Sequence, residues 1–269
     1  MRKIQLIMMF AIVPFFSFGQ RFGAAIPAFH SVEVGYDLNV HFSQTQALEY
    51  DVIVEAPDEV KSGIQFEIDK KGVLRFIIDD KKLSLNDVKI FLKAPEMISI
   101  TLGKAAVFTF DTDINTPKSG MKIALSGDAT VNAKKIAVKE LGITLKDNST
   151  FASTVSISKL SADARSKSKL ILTGEASSVK FSATDKAQIN VESMKGKSLS
   201  VKASDNSAVN LSFKGKSGEA ISSGSATIQL RESMGKVSLT AKDNSVINIR
   251  NLSCKNIKTA TQKLGVIER

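Results

Sequence analysis

Amide and hydroxyl side chains that recur at two fixed positions of a repeated unit are the strongest candidates for binding chemistry in this sequence. From Met121 onward a unit of 19 or 20 residues recurs. Its twelfth position carries amides in most copies, with Ala152 and Ile171 as exceptions, and its tenth position often carries threonine or glutamine. We call the following residues the polar strip: Asn132, Asn190, Asn210, Gln229, Asn248, Thr130, Thr150, Gln188 and Thr227. Such groups at regular spacing can hydrogen-bond a repeating polymer such as a glycan, but stacked amides can also bond one another and stabilise the repeat.

The seventh position of the unit carries acids whose spacing favours a structural role. These acids are Asp147, Asp185, Asp205 and Asp243. A calcium site needs six or more oxygens that converge on one point. One carboxylate per unit, interrupted by Gly127, Ser166 and Gly224, suits capping of turns better.

No residues in the sequence form a recognisable catalytic motif. His30 and His41 are the only histidines and Cys254 is the only cysteine. Neither histidine has a serine or cysteine partner in a nucleophile motif. We also find no phosphate loop, metal-ligand spacing or dinucleotide fingerprint. The sequence therefore predicts a protein that is not an enzyme and has no cofactor, catalytic or metal-binding residues.

The repeat itself predicts the elements that would position the polar strip. Odd positions of an extended chain share one face. The ninth position is always small: Ala129, Ser149, Ser168, Ala187, Ser207, Ala226 and Ser245. The eleventh is always large and apolar: Val131, Phe151, Leu170, Ile189, Val209, Ile228 and Ile247. Coils stacked in register require this constancy, because equivalent side chains then lie above one another. We predict an all-β fold, a parallel β-helix of about 20-residue coils that we expect to be right-handed.

Within each unit the pattern predicts two strands, one corner and a return. Positions one, three and five form a first strand, and positions nine, eleven and thirteen form a second. Asp, Asn and Gly at positions six to eight are typical of a corner with left-handed backbone. We expect the lysine-rich remainder to be an irregular return.

The chain divides into three predicted segments. Residues 1–19 resemble a secretory signal peptide, with a basic start, an apolar run from Ile4 to Phe16 and cleavage near Gly19-Gln20. The alternative, a membrane anchor, requires about 20 apolar residues. Residues 28–117 form an N-terminal β segment with a hairpin at Lys71-Gly72, which caps or extends the solenoid, and residues 118–269 form the repeats. Alternatively, residues 98–115 are a looser coil, which would make the first segment continuous with the solenoid.

The charge balance points to anionic partners. Without Arg2 and Lys3 the chain has 35 basic and 27 acidic residues, a net charge of +8. An exported basic protein favours anionic envelope polymers such as acidic polysaccharide. Alternatively, the lysines only solubilise the surface and protect strand edges. A nucleic-acid partner is disfavoured, because the chain has no tryptophan, only two tyrosines and no aromatic–basic motif.

The chain resembles the exported bacterial proteins described as putative autotransporter adhesin, head GIN domain, which are common in Bacteroidetes. The resemblance covers roughly residues 28–250, together with the end of the signal segment. The residues that carry it are Ser17-Phe18-Gly19-Gln20, Val32-Glu33-Val34, Val88-Lys89-Ile90-Phe91-Leu92 before a proline, and Leu125-Ser126-Gly127-Asp128-Ala129. The family's corners usually read Ser-Gly-Ser or Gly-Ser-Gly, whereas several here read Asp-Asn-Ser. The resemblance implies a β-helix-like fold and an adhesive surface role, and it supplies no catalytic residues.

Together these patterns predict an exported, non-enzymatic β-solenoid of the periplasm, the outer surface or the secreted fraction. Its partner would be a glycan or another anionic surface polymer, and the mature chain would have no transmembrane segment. Two alternatives stay open. One is a polysaccharide-cleaving β-helix enzyme, which would need clustered carboxylates in a groove. The other is a purely structural envelope scaffold.

Overall fold

The computed structural model describes residues 20–21, 26–79 and 84–269, and their regular structure is almost entirely β. The predicted signal peptide lies outside these residues and stays a prediction. The first described part consists of short elements: β1 (Gln20–Arg21), β2 (Ser31–Val34), β3 (Asn39–Gln44), β4 (Asp51–Glu55), α1 (Asp58–Lys61), β5 (Ile64–Ile68), β6 (Val73–Ile78), β7 (Lys89–Ala94), β8 (Ser99–Leu102) and β9 (Val107–Phe110).

The remaining strands are mostly long. They are β10 (Ile114–Leu125), β11 (Thr130–Leu145), β12 (Thr150–Ala164), β13 (Lys169–Ala183), β14 (Gln188–Lys195), β15 (Ser198–Ala203), β16 (Ala208–Ser222), β17 (Thr227–Lys242), β18 (Val246–Asn248), β19 (Leu252–Gln262) and β20 (Val266–Glu268). From β10 onward, successive coils pair in parallel with one another. The predicted parallel β-helix is confirmed.

The predicted core of superposed side chains is also confirmed. Residues at the eleventh position pair directly from coil to coil, from Val131 with Phe151 to Ile228 with Ile247. All of them are fully buried, and the small residues at the ninth position are buried beside them. Small residues are required there because the chain turns a corner immediately before them.

The return is a regular strand, so the prediction of an irregular return was wrong. In β12 and β13 the residues from Thr154 to Ile157 pair in order with Thr173 to Ala176. The inward residues of β11 are Val131, Ala133, Ile136, Val138, Leu141, Ile143 and Leu145. Consecutive inward residues are two positions apart, except that Ala133 to Ile136 and Val138 to Leu141 are three positions apart. A register shift at Lys134 accompanies the first of these longer gaps. An inserted residue shifts the alternation by one, which hides the strand from a strict period of two.

In β11 these phase changes separate three sides of the coil, and the residues of other coils that pair with them lie on the same sides. In β11 the first side is 130–133, which belongs to the predicted second strand of the unit. The return side is 135–138, and the third side is 140–145, which belongs to the predicted first strand of the next unit. A tight corner, such as 146–149, connects the third side to the first side of the next coil.

The N-terminal segment both extends and caps the solenoid. The strands β6, β2, β8 and β10 pair in parallel in that order, and so do β7, β3, β9 and β11. The coil formed by β2 and β3 therefore lies between two coils that come later in the chain. Beyond it, β5 on β6, β4 on β7 and β1 on β4 are antiparallel and end the parallel stack. The strand β10 crosses the predicted boundary at residue 117, and the division into domains stays a prediction.

The C-terminal end is held by an ion pair at its last corner. Lys263 Nζ lies 2.7 Å from Asp243 Oδ1. This contact matters because side chains of the last coil are poorly covered, with Leu264 74% and Val266 45% exposed.

We expect Lys263→Gln to raise the pKa of Asp243. This pKa lies below its ordinary value of 3.8, first because Lys263 donates a hydrogen bond and second because the backbone N–H of Gly224 donates another. A carboxyl whose pKa is lowered in the folded state stabilises the fold above the unfolded pKa and loses that contribution as pH falls through the folded pKa. The variant should therefore be less stable than the wild type at neutral pH, and this difference should disappear at a pH low enough to protonate Asp243 in both. An NMR titration of the carboxyl measures the shift. Lys258→Gln is the control, and an Asp243 pKa that responds equally to both variants would contradict the assignment.

Candidate functional site

The structure places the whole polar strip on the outward face of the first side. Its residues are exposed or half-buried, whereas the ninth- and eleventh-position residues that alternate with them are buried. The strip is therefore a surface feature carried by rigid, hydrogen-bonded strands.

Four of the amides form a continuous column across adjacent coils. Asn190 pairs with Asn210, Asn210 with Gln229 and Gln229 with Asn248. Asn210 Nδ2 donates to Asn190 Oδ1 at 3.0 Å, and Asn248 Nδ2 donates to Glu268 Oε2 at 2.6 Å. Part of the column is thus a ladder of stacked amides that supports the coil. A primary amide has two N–H donors and an oxygen with two lone pairs, so these amides keep capacity for a ligand.

The other residues of the strip are less continuous. Ala152 and Ile171 lie between Asn132 and Asn190, so Asn132 is three coils away from the column. These smaller or apolar residues lie in a shallow depression of about 390 Å³ that also includes Thr154 and Thr173.

At the tenth position of the unit, threonine and glutamine residues are interrupted by other residue types from coil to coil. Thr130 and Thr150 are direct neighbours, but Lys169 separates Thr150 from Gln188. Ala208 separates Gln188 from Thr227. A ligand would therefore meet an uninterrupted row of amides only from the coil that contains Asn190 to the coil that contains Asn248.

Three of the four acids at the seventh position cap turns, as their spacing predicts, whereas Asp205 accepts a hydrogen bond from Ser204 Oγ at 2.9 Å. Asp147, Asp185 and Asp243 have φ values of 60°, 60° and 58°, in the left-handed region. Each carboxylate accepts a hydrogen bond from the corner of the preceding coil. The donors are the N–H groups of Gly127 at 3.0 Å, Ser166 at 3.3 Å and Gly224 at 3.3 Å. Among the described residues, no group of three or more His, Cys, Asp or Glu could hold a metal ion.

The histidines and the cysteine have local partners. His41 points outward, stacks on Phe91 with ring centroids 5.1 Å apart, and lies 3.0 Å from Asp111 Oδ1. His30 Nδ1 lies 3.1 Å from Ser31 Oγ in the adjacent residue. Cys254 Sγ lies 3.3 Å from the carbonyl oxygen of Asn256. The His30–Ser31 contact joins a ring nitrogen to a buried hydroxyl, but among the described residues no carboxylate hydrogen-bonds the His30 ring to complete a catalytic triad.

Sequence reasoning missed a basic surface on the return side. The tripeptide Lys-Gly-Lys occurs at 195–197 and again at 214–216, exactly one unit later, and Gly235-Lys236 follows after another unit. This repetition was the available signal. It was overlooked because the lysine-rich part of the unit was expected to be irregular.

Comparison with protein families gives one match. The family model described as "Putative auto-transporter adhesin, head GIN domain" matches residues 28–204. A comparison with curated proteins gave no match.

Several solved structures with the same fold come from Bacteroidales. A putative adhesin from Parabacteroides merdae has a TM-score of 0.65 at 9% identity, covering 93% of this chain and 94% of its own. A protein from Parabacteroides distasonis described as a putative lipid binding protein has a TM-score of 0.64 at 13% identity, covering 93% and 96%. A putative adhesin from Bacteroides fragilis has a TM-score of 0.53 at 16% identity, covering 91% and 96%. At these identities the similarity shows a shared fold.

Proposed function

Because the chain belongs to the putative auto-transporter adhesin, head GIN domain family, we propose that it is an exported, non-enzymatic adhesin that binds a cell-surface glycan through the polar strip. The observation that carries this proposal is the column from Asn190 to Asn248. It presents one amide per coil on the outside of a rigid stack.

The geometry of the column suits an extended polymer with repeated hydroxyl groups. Adjacent coils are about 4.8 Å apart. The amides are therefore evenly spaced along a line, and each can donate to and accept from a hydroxyl group. Because the ladder already fixes Asn190 and Asn210 relative to each other, binding would order few side chains and lose little conformational entropy.

The sequence before the described core supports export. Arg2 and Lys3 precede the apolar run and Ser17-Phe18-Gly19 follows it, as in a secretory signal peptide. In the described part of the chain, no helix is long and apolar enough to cross a bilayer. We place the mature protein at the cell surface or in the periplasm.

The triple variant Asn190→Ala, Asn210→Ala, Gln229→Ala should weaken glycan binding at least tenfold. Each lost hydrogen bond contributes about 1 kcal/mol, and about 1.4 kcal/mol corresponds to a factor of ten in affinity. A glycan array identifies the ligand for the wild-type protein, and a titration then compares the variants.

The matched control changes outward residues of the third side: Ser182→Ala, Ser200→Ala and Thr240→Ala. It should bind like the wild type. The proposal fails if the wild-type protein retains no glycan, or if the strip variant and the control bind equally. The same glycans should gain no new reducing or unsaturated ends during incubation, whereas their appearance would favour a polysaccharide-cleaving enzyme.

A further inference from the structure

Six lysines lie on the return side, or where it meets the third side, in four successive coils. They are Lys195, Lys197, Lys214, Lys216, Lys236 and Lys255. We call this set, with the surface between its members, the lysine groove. It lies on a different side of the coil from the polar strip.

Backbone pairing places these lysines in adjacent coils. Lys195 of β14 pairs with Lys214 of β16. The N–H of Lys216 donates to the carbonyl oxygen of Lys197 at 3.0 Å. Lys236 pairs with Asn256, directly after Lys255. Adjacent strands are about 4.8 Å apart, so Lys195 and Lys214 form one short column along the solenoid axis, and Lys197 and Lys216 form another. The first column continues with Ser233 and Ser253.

Glycines make the surface between the lysines concave. A Cβ at Gly196 would lie 2.2 Å from the carbonyl oxygen of Ala176, and one at Gly215 would lie 2.3 Å from the ring of Phe213. A Cβ at Gly235 would lie 2.7 Å from the carbonyl oxygen of Lys216. The neighbouring atoms therefore leave no room for a side chain at these glycines, and the surface beside them is an open depression of about 500 Å³ that Lys195, Lys214 and Lys255 border.

The positive charge of the groove is largely uncompensated. Lys195 Nζ lies 3.9 Å from Glu175 Oε1, with both side chains more than two-thirds exposed at 69% and 68%. The other five lysines form no ion pair with a residue that the structure describes. Like charges directly opposite each other on neighbouring strands are destabilising. A bound anion would relieve the repulsion between Lys195 and Lys214.

The shape and lining of the groove select among polyanions. Its floor and walls consist of lysine, glycine, serine and Met234, so no aromatic ring is available to stack on a nucleobase. The described large apolar side chains that are exposed are Leu48, Ile77, Leu264 and Val266. None of them borders the groove to anchor it in a bilayer, and a flat membrane would not reach a recessed glycine floor. A narrow, flexible chain with regularly spaced acidic groups fits best.

We propose that the lysine groove binds a linear acidic polysaccharide along the solenoid axis. This inference rests on the proposed role as a surface-polymer binder, but it does not depend on the polar strip. Ammonium groups act as point charges for carboxylates and sulfates, and the paired strands hold Lys195 beside Lys214 and Lys197 beside Lys216.

The test is a titration of the full-length mature protein with alginate at low and high ionic strength. The groove variant is Lys195→Gln, Lys214→Gln, Lys216→Gln. The control variant, Lys122→Gln, Lys180→Gln, Lys258→Gln, removes the same charge from exposed positions of the third side. We expect the wild-type affinity to fall steeply with salt because exposed charges are screened. The groove variant should lose at least tenfold in affinity at low salt, and the control variant less than threefold. Circular dichroism should show that both variants remain folded.

Several results would overturn this proposal. The groove is not the site if both variants lose affinity equally, or if alginate fails to bind. Tighter binding of single-stranded DNA or of anionic phospholipid vesicles through the same lysines would assign a different partner. Titration of the polar-strip variant with a neutral glycan separates the two proposals. If binding of the neutral glycan is lost and binding of alginate is unchanged, only the polar strip is affected. If binding of alginate is lost and binding of the neutral glycan is unchanged, only the lysine groove is affected.

Discussion

Ile189→Glu should unfold the solenoid, whereas Gln188→Glu in the adjacent position should leave it folded. Ile189 is fully buried, and its neighbours in the stack are Leu170 and Val209. A carboxyl group there would lose its hydration with no partner, or would bind a proton at a cost in free energy. We expect a loss of about 4 kcal/mol or more in the free energy of unfolding.

The control introduces the same group on the opposite face of the same strand. Gln188 is exposed and pairs with Lys169 and Ala208. Gln188→Glu should change the free energy of unfolding by less than about 0.5 kcal/mol. Urea unfolding followed by circular dichroism measures both. Similar stabilities for the two variants would mean that the alternation of inward and outward residues is incorrectly assigned.

Gly174→Ala should also destabilise the protein strongly. Gly174 has a φ of 114°, and a Cβ there would lie 2.0 Å from the carbonyl oxygen of Val155. Val155 is its pairing partner in the adjacent coil, so a methyl group would force two backbone strands apart. Backbone strain contributes about 1–3 kcal/mol, and we expect a total loss of about 3 kcal/mol after displacement of the neighbouring strand.

Gly142→Ala is the matched control for Gly174→Ala. Gly142 has no positive φ, and the nearest atom to its Cβ position is Lys122 Cγ at 3.9 Å. Alanine should be neutral there or should stabilise by about 0.4–1 kcal/mol, because it restricts the unfolded chain. Thermal unfolding compares the two variants. Equal effects would show that close approach at Gly174 does not control the spacing of these coils.

The sequence predicted the first side and the corners because a local rule governs each position there. Val131 and Phe151 alternate with outward residues over a short strand, and Asp147 adopts the left-handed backbone that its residue type tolerates. No comparable rule predicted the return side. The extra residue at Lys134 shifts the phase of β11, whereas β12 changes phase only once, between Ile157 and Leu160. An alternation whose phase changes differ from coil to coil has no single period.

The arrangement of the N-terminal strands also exceeds what local patterns specify. The pattern around Val32 and Val40 predicts strands, but their partners β6 to β9 are separated from them in sequence. Neither strand propensity nor alternation specifies that the coil of β2 and β3 lies between two coils that come later in the chain. The lysine groove has the same origin: Lys195 and Lys214 become neighbours only through pairing of β14 with β16.

Pairs of spin labels at the tenth position test the stacking of coils most directly. In a Cys254→Ser background, cysteines for labelling replace Thr150 and Thr227, Thr150 and Val246, or Thr130 and Val246. These pairs are separated by four, five and six coils. At about 4.8 Å per coil, the labelled backbone positions are about 19, 24 and 29 Å apart. Double electron–electron resonance should therefore give label-to-label distances that increase by a constant increment from pair to pair. Distances that fail to increase from pair to pair, as in two sheets packed face to face, would contradict the solenoid.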